Sequence, residues 1–230
     1  MWQKFYEKHR GRDFELLSIA VDVQGPTVVR PYVQKFGVSF PVAVDTADVF
    51  GRAFDLTAIP VTFLVDEVGI IRLRGGGPNA ALRGEIEAIL DEPVTGVRSL
   101  PPRLPAGRSP AELETAVMRT PEDAGSRVAL AQIYDSEKRH TEALTQLAAA
   151  AKLQPCSPEP LFVWGLVLMH QGERDRAVAK LKQARDLDPG NWRIRKQIWA
   201  IEYPDKFYSA DSPDYDWQKE QFAREKTRPE

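Results

Sequence analysis

The chain has 230 residues, with 31 basic and 33 acidic side chains, a formal charge of −2, 43% hydrophobic residues and one cysteine, Cys156. This length predicts one or two globular domains, and the near-neutral charge gives no electrostatic reason to expect a nucleic-acid-binding protein. The most apolar runs, such as 162–169, are far shorter than the about 20 residues that cross a bilayer, so no membrane span is predicted. A single cysteine excludes an internal disulfide, a Cys-x-x-Cys pair and a multi-thiolate zinc site.

Helices and strands alternate in the predicted structure of the first 90 residues. The N-terminal segment has the pattern of an amphipathic helix, with Trp2, Phe5 and Tyr6 on one face, and lacks the pattern of a signal peptide. Pro26 begins a second helix that ends at Gly37. Strands are predicted at the apolar runs 14–21, 40–45, 61–66 and 70–74, and further helices at 49–54 and after the N-cap Asn79. This order is typical of an α/β domain with a mixed sheet.

Residues 1 to about 90 resemble the redoxin branch of the thioredoxin-like superfamily, which includes thiol-disulfide oxidoreductases and relatives of alkyl hydroperoxide reductase. The resemblance rests on the strand 14–22 followed by a Gly-Pro helix start, on Phe40-Pro41 before Asp45, and above all on the segment 59–69, IPVTFLVDEVG. It implies a cis peptide bond between Ile59 and Pro60 and a loop that binds the substrate there by backbone hydrogen bonds. An ordinary trans proline at a strand start is the alternative.

The thiol motif of this branch has no counterpart in the sequence. Family members have a Trp-Cys-x-x-Cys or related motif at the end of their first strand, just before the helix that corresponds to residues 1–9. The sequence has neither that strand nor that motif, and Cys156 lies far away in a proline-rich turn, where it is interpreted as a structural or incidental thiol. In the resembled fold the missing strand lies inside the sheet, between 14–21 and 61–65. We therefore expect the chain to be an N-terminal truncation of a longer natural chain, for example through an in-frame stop codon read as selenocysteine.

Prolines mark the boundary of the first domain. The segment 91–109 contains four prolines and predicts a semi-rigid linker. Ser109-Pro110-Ala111-Glu112 follows with the pattern of a capping box that has proline at the first helical position. The predicted domains are thus a thioredoxin-like domain at 1–90, a linker at 91–109, a helical domain at 110–204 and an aromatic and charged tail at 205–230.

The second half repeats with a period of 34 residues, the offset between Pro155 and Pro189. In period and in its pattern of small and large residues it resembles the tetratricopeptide repeat. Two repeats are predicted, at 124–157 and 158–191, and a third helix at 192–201 would cap them. Equivalent positions pair Leu130 with Trp164, Ala131 with Gly165, Ala143 with Ala177 and Leu147 with Leu181. Such repeats bind peptides in a concave groove, which implies a protein or peptide partner.

Several polar side chains invite a functional interpretation but have a simpler one. His140 and His170 are isolated in sequence, so exposed histidines at loop edges are favoured over a metal site. The basic residues of the capping helix, Arg193, Arg195 and Lys196, are expected on a solvent-facing surface. Three aspartates that end strands, Asp22, Asp45 and Asp66, are expected to cap turns. The tail carries Tyr208, Tyr215, Trp217 and Phe222 and is expected to pack on the repeats or on a partner.

Two functions from different classes agree with these patterns. The first is a redox protein that reduces disulfides or peroxides, with an antioxidant role in the latter case, and with a repeat domain that binds another protein. Ile59 and Pro60 are the predicted substrate-binding residues, no residue of the chain is predicted to be catalytic, and no metal or cofactor is predicted. The chain by itself is expected to be inactive. The alternative is a non-catalytic adaptor that binds protein through both halves. The location stays open: the sequence as written would be cytoplasmic, and any upstream targeting signal would be absent from it.

Overall fold

The computed structural model describes residues 2–92, 108–208 and 215–227. Strands occur only in the first of these ranges, and the other two are helical. The elements in chain order are α1 (Trp2–His9), β1 (Ser18–Ala20), α2 (Pro26–Lys35), β2 (Val42–Val44), α3 (Val49–Ala53), β3 (Thr62–Val65), β4 (Ile71–Gly75), α4 (Ala80–Leu90), α5 (Pro110–Arg119), α6 (Ala124–Ser136), α7 (His140–Leu153), α8 (Pro158–His170), α9 (Arg174–Leu187), α10 (Trp192–Glu202), α11 (Pro204–Phe207) and α12 (Tyr215–Thr227).

The strands form two small sheets, whereas the sequence predicts one mixed sheet that is incomplete at the N-terminus because a strand between 14–21 and 61–65 is missing. β1 pairs with β2 in parallel, and β3 pairs with β4 as an antiparallel hairpin. Across the described ranges, no strand joins β1 to β3, so the two pairs stay separate. The first strand is also shorter than the predicted run 14–21, because regular pairing with β2 extends only from Ser18 to Ala20. Two small sheets together with many helices are compatible with a thioredoxin-like domain followed by an all-helical part.

The hairpin is covered by α1 and α4. Phe5, Leu82 and Ile86 form the buried centre of this cluster, and Leu64 of β3 packs against it. Phe14, which precedes β1, contacts the ring of Phe5 edge to face at a centroid distance of 5.9 Å. Burial of such side chains contributes about 1.5–3 kcal/mol each. This cluster holds the N-terminal helix, the hairpin and α4 together.

The helical half has consecutive helices packed against one another from α5 to α10. Two sequence predictions about helix starts are confirmed: Ser109 and Glu112 form the capping box of α5, and Asn79 caps α4. The helical core includes Leu130, Leu147, Phe162, Leu181 and Ile198, none of which is more than 1% exposed. Val23, which follows β1, belongs to the same buried cluster. The two halves therefore share a hydrophobic core.

The C-terminal segment packs on α10, as expected for the predicted tail. Trp217 of α12 meets Trp199 edge to face at 5.8 Å, and Phe222 lies 5.0 Å from the ring of Trp192. The indole nitrogen of Trp199 also donates a hydrogen bond to Glu225 at 2.7 Å. Most of the predicted linker, residues 93–107, lies outside the described residues. Among the helices that the structure describes, none is long and apolar enough to cross a bilayer.

Candidate functional site at the Ile59–Pro60 loop

The loop that leads into β3 contains both predicted site residues. The peptide bond between Ile59 and Pro60 is cis, the geometry that the family resemblance implies. Pro60 is exposed and Ile59 is half-buried. Gly77 lies against the proline ring so closely that a Cβ atom at Gly77 would come within 2.9 Å of it. The loop is therefore narrow on its β4 side and open to solvent at Pro60.

Helix α10 of the helical half reaches this loop through hydrogen bonds. The Lys196 Nζ donates to the Ile59 carbonyl oxygen at 2.8 Å, and the Arg193 backbone N–H donates to the Thr57 carbonyl oxygen at 3.2 Å. Gln197, which follows Lys196 in α10, donates from its side-chain amide to the carbonyl oxygen of Val21, just after β1. One helix thus binds the polypeptide at the end of β1 and before β3. Burial lowers the pKa of Lys196.

The segment before α3 is bound by the same face of the helical half. Asp48 forms a buried ion pair with Arg193 of α10. Burial raises the pKa of Asp48 to about 7, although Arg193 opposes the shift. Arg52 of α3 pairs with Glu159 at the start of α8, and Gln132 of α6 donates to the Ala47 carbonyl oxygen at 2.8 Å. Helices α6, α8 and α10 therefore bind the chain's own α/β half along one surface.

Tyr208, which follows α11, also forms a hydrogen bond to the segment just after β1. The Tyr208 hydroxyl donates to Asp22 at 2.7 Å, and Tyr32 of α2 donates to the Tyr208 carbonyl oxygen. Burial raises the pKa of Asp22, and the hydrogen bond from Tyr208 acts in the opposite direction. The two other aspartates that end strands cap turns, as the sequence predicts. Asp45 accepts from the Phe50 N–H at 2.7 Å, and Asp66 accepts from the Ile70 N–H at 2.8 Å.

The expectation of a solvent-facing basic surface on α10 is wrong. Arg193, Arg195 and Lys196 are at most 9% exposed, because α10 lies between the α/β half and α12. Each polar head group has a partner: Asp48 for Arg193, Glu225 for Arg195 and the Ile59 carbonyl for Lys196. The sequence contains a signal for this burial. In WRIRKQIWAI, apolar residues recur on more than one helix face, so the basic residues cannot all lie on a solvated face.

The two isolated histidines are not free loop-edge side chains either. His140 and His170 both bind Asp135, with Nδ1 at 2.9 Å and 2.6 Å from its two carboxylate oxygens. Burial would raise the pKa of Asp135, but the hydrogen bonds and charges of the two imidazoles outweigh it and lower this pKa. Within the described ranges, no group of three or more acidic, histidine or cysteine side chains could hold a metal ion.

The one thiol of the chain lies in a different region. Cys156 is exposed, in the turn between α7 and α8. No sulfur nucleophile of this chain is therefore positioned beside Pro60 by the described elements. The described loop has a cis-proline, and the carbonyl oxygen of the preceding residue, Ile59, accepts a hydrogen bond from the Lys196 ammonium group.

The chain is weakly similar to a known protein. The chain is 30% identical over 70 residues to the thiol-disulfide oxidoreductase ResA of Geobacillus kaustophilus, a match that covers 30% of this chain and 39% of that protein. The chain thus matches about two fifths of the length of ResA. No protein-family model matches it. The similarity supports a thioredoxin-like relationship and, at most, a thioredoxin-like redox class.

Proposed function

We propose that this chain is the scaffold of a thiol-disulfide oxidoreductase of the redoxin type, which lacks its own redox group. The similarity to ResA carries the proposal, because that protein is a thiol-disulfide oxidoreductase. The Ile59–Pro60 loop binds the substrate through its backbone, and the nucleophile is a cysteine or selenocysteine that is not among these 230 residues. The substrate is a disulfide or, as the second possibility within this class, a peroxide.

The reaction class explains why the missing group matters. In thiol–disulfide exchange, a thiolate forms a bond to one substrate sulfur while the substrate S–S bond breaks, and the departing sulfur takes up a proton. The thiolate is the reactive form, so the nucleophile needs an environment that lowers its pKa. Cys156 is exposed in the turn between α7 and α8, and the proline loop precedes β3. We therefore assign it no role in the reaction.

The proposed domain organisation follows the sequence prediction. Residues 1–90 form the thioredoxin-like domain, 91–109 the linker, 110–204 a tetratricopeptide-repeat domain and 205–230 the tail. The surface formed by α6, α8 and α10 binds the chain's own α/β half through Gln132, Glu159 and Arg193. This occupancy argues against a free peptide on that surface. In the proposal, a protein partner would use other faces of the repeats.

An activity comparison tests the proposal. Reduction of insulin disulfides and of hydrogen peroxide is measured for the 230-residue chain, for a version extended at its N terminus by the preceding sequence of the same gene, and for both with Cys156→Ser. We expect activity in the extended version alone, unchanged by Cys156→Ser, since the thiol is exposed in the turn between α7 and α8. Inactivity of both lengths would favour the adaptor. Activity of the 230-residue chain that disappears in Cys156→Ser would show that Cys156 is the nucleophile.

A further inference from the structure

Lys196 differs from the other cations of α10 in the kind of partner it has. Arg193 pairs with Asp48 and Arg195 pairs with Glu225, so each buried guanidinium lies beside a carboxylate. In the part of the chain that the structure describes, no carboxylate forms an ion pair with Lys196. Its amine donates to the uncharged carbonyl oxygen of Ile59. Among these three cations, Lys196 is thus the one without a carboxylate partner in the described ranges.

Burial makes this arrangement costly. Lys196 is 9% exposed, and burial is the cause of its lowered pKa. A buried charge without an opposite charge loses its hydration and gains no compensating attraction. An ammonium group has three N–H donors, and the Ile59 carbonyl accepts one of them. The Tyr215 ring, whose centroid is 5.8 Å from Nζ, gives a further weak stabilisation. An anion beside Nζ would supply the missing charge and accept a second hydrogen bond.

The position of Lys196 identifies the molecule that could bring such an anion. Its amine donates a hydrogen bond to the carbonyl oxygen of Ile59, the residue before the cis-proline. Thr57, Ala58 and Pro60 of the same loop are exposed. A substrate bound to the loop backbone would therefore lie next to the ammonium group. A carboxylate is one of the anions that make a short and strong charge-assisted hydrogen bond to an ammonium group.

We propose that Lys196 is a specificity-determining residue, whose ammonium group binds a carboxylate of the substrate at the Ile59–Pro60 loop, so that the preferred substrate is an acidic disulfide. This inference rests on the proposed function for the identity of the loop as the substrate site. It makes the helical half part of that site, since Lys196 belongs to α10. It also predicts that neutral disulfides are poorer ligands than acidic ones of the same size.

Binding to the 230-residue chain tests the inference without any redox step. The probes are 3,3′-dithiodipropionate and its dimethyl ester, which share the disulfide and differ in charge. Affinity is measured by NMR titration, following the backbone amides of Ile59 and Val61. We expect the diacid to bind about tenfold more tightly than the diester, the ratio that corresponds to about 1.4 kcal/mol. Equal affinity of the two probes, or no binding of either, would overturn the inference.

Variants test whether the Lys196 side chain causes the preference for the diacid over the diester. Lys196→Gln keeps a donor for the Ile59 carbonyl and removes the charge, so the ratio should fall to about one, whereas Lys196→Arg should keep it. Lys152→Gln, at an exposed position near the end of α7, is the matched control and should leave the ratio unchanged. An undiminished ratio in Lys196→Gln would refute the assignment. If Lys196→Gln does not fold, the affinities of the diacid and the diester for the unmodified chain still test the inference. The proposed function is tested by a different measurement: it would be contradicted if the extended version did not reduce disulfides.

Discussion

At the scale of single residues, Asp135 links two helix pairs through its carboxylate. It is 5% exposed, and its oxygens bind His140 at the start of α7 and His170 at the end of α8. Removal of one member of a buried polar network leaves the others unsatisfied. The lowered pKa of Asp135 means that the folded state favours its ionised form.

Replacement of this carboxylate should make stability less dependent on pH. We expect Asp135→Asn to lower the free energy of unfolding at pH 7 by about 1–3 kcal/mol. Because the folded-state pKa is below the unfolded value of 3.8, the stabilisation is present above that value and is lost as pH falls through the folded pKa. The difference in the free energy of unfolding between the variant and the unmodified chain, measured by urea unfolding, should therefore become smaller below about pH 4. Asp186→Asn, at a side chain that is 63% exposed, is the control. A difference that stays constant down to pH 2 would contradict the assignment.

At the scale of elements, the contact between α8 and α9 depends on a residue without a side chain. A Cβ atom at Gly165 would come within 2.6 Å of Leu181 and 3.2 Å of the Ala177 carbonyl oxygen. Leu181 and Ala177 are fully buried, so neither can move aside easily. Gly84 in α4 is exposed and has open space at the equivalent position. The same substitution therefore meets two different environments.

These two glycines should respond to alanine with opposite signs. We expect Gly165→Ala to destabilise the protein by about 1–3 kcal/mol, because the added methyl group overpacks the helix contact. Gly84→Ala should stabilise it by about 0.5–1 kcal/mol, since alanine has the higher helix propensity. Urea unfolding midpoints of the two variants measure the difference. Stabilisation by both substitutions would show that α8 and α9 are not in close contact at Gly165.

At the scale of the whole molecule, α10 holds the two halves together. Its residues from Arg193 to Ile201 are all buried, between the α/β half and the C-terminal segment. Its polar side chains bind Asp48 and the carbonyl oxygens of Ile59 and Val21. Its apolar residues share a core with Val23. The two halves are therefore expected to unfold together.

The buried ion pair between the halves should contribute more to the free energy of unfolding than a surface ion pair does. Arg193→Met leaves Asp48 buried without its cation, and we expect a loss of about 3–5 kcal/mol in the free energy of unfolding. Asp48 has a raised pKa of about 7, and loss of Arg193 should raise it further. A raised carboxyl pKa reduces stability as pH rises through that pKa, so the loss should be larger at pH 8 than at pH 6.

A surface pair gives the matched control for this prediction. Arg176 lies 3.5 Å from Glu173, with side chains 63% and 48% exposed. Arg176→Met should therefore change the free energy of unfolding by less than about 1 kcal/mol at either pH. Equal effects of the two substitutions would show that Arg193 does not make a buried contact between the halves.

How far the sequence predicts this protein depends on the range of the interactions involved. The helix starts at Ser109 and Asn79 follow from side chains that bond to backbone a few residues away, and they were predicted correctly. The aspartates Asp45 and Asp66 cap turns for the same reason. The candidate loop was located from its own residues. The partners of that loop were not, because Lys196 is separated from Ile59 by 137 residues.

The sequence by itself determined the alternation of helices and strands, the helical second half and the location of the Ile59–Pro60 loop, since these depend on local periodicity and turn chemistry. Tertiary structure alone decided which groups surround the loop. A basic helix can face solvent or lie in a core, and its own residues do not settle which. For α10 the outcome depends on α12 on one side and on Asp48, Ile59 and Val21 on the other. A buried cation needs specific partners, and only the folded chain brings them together.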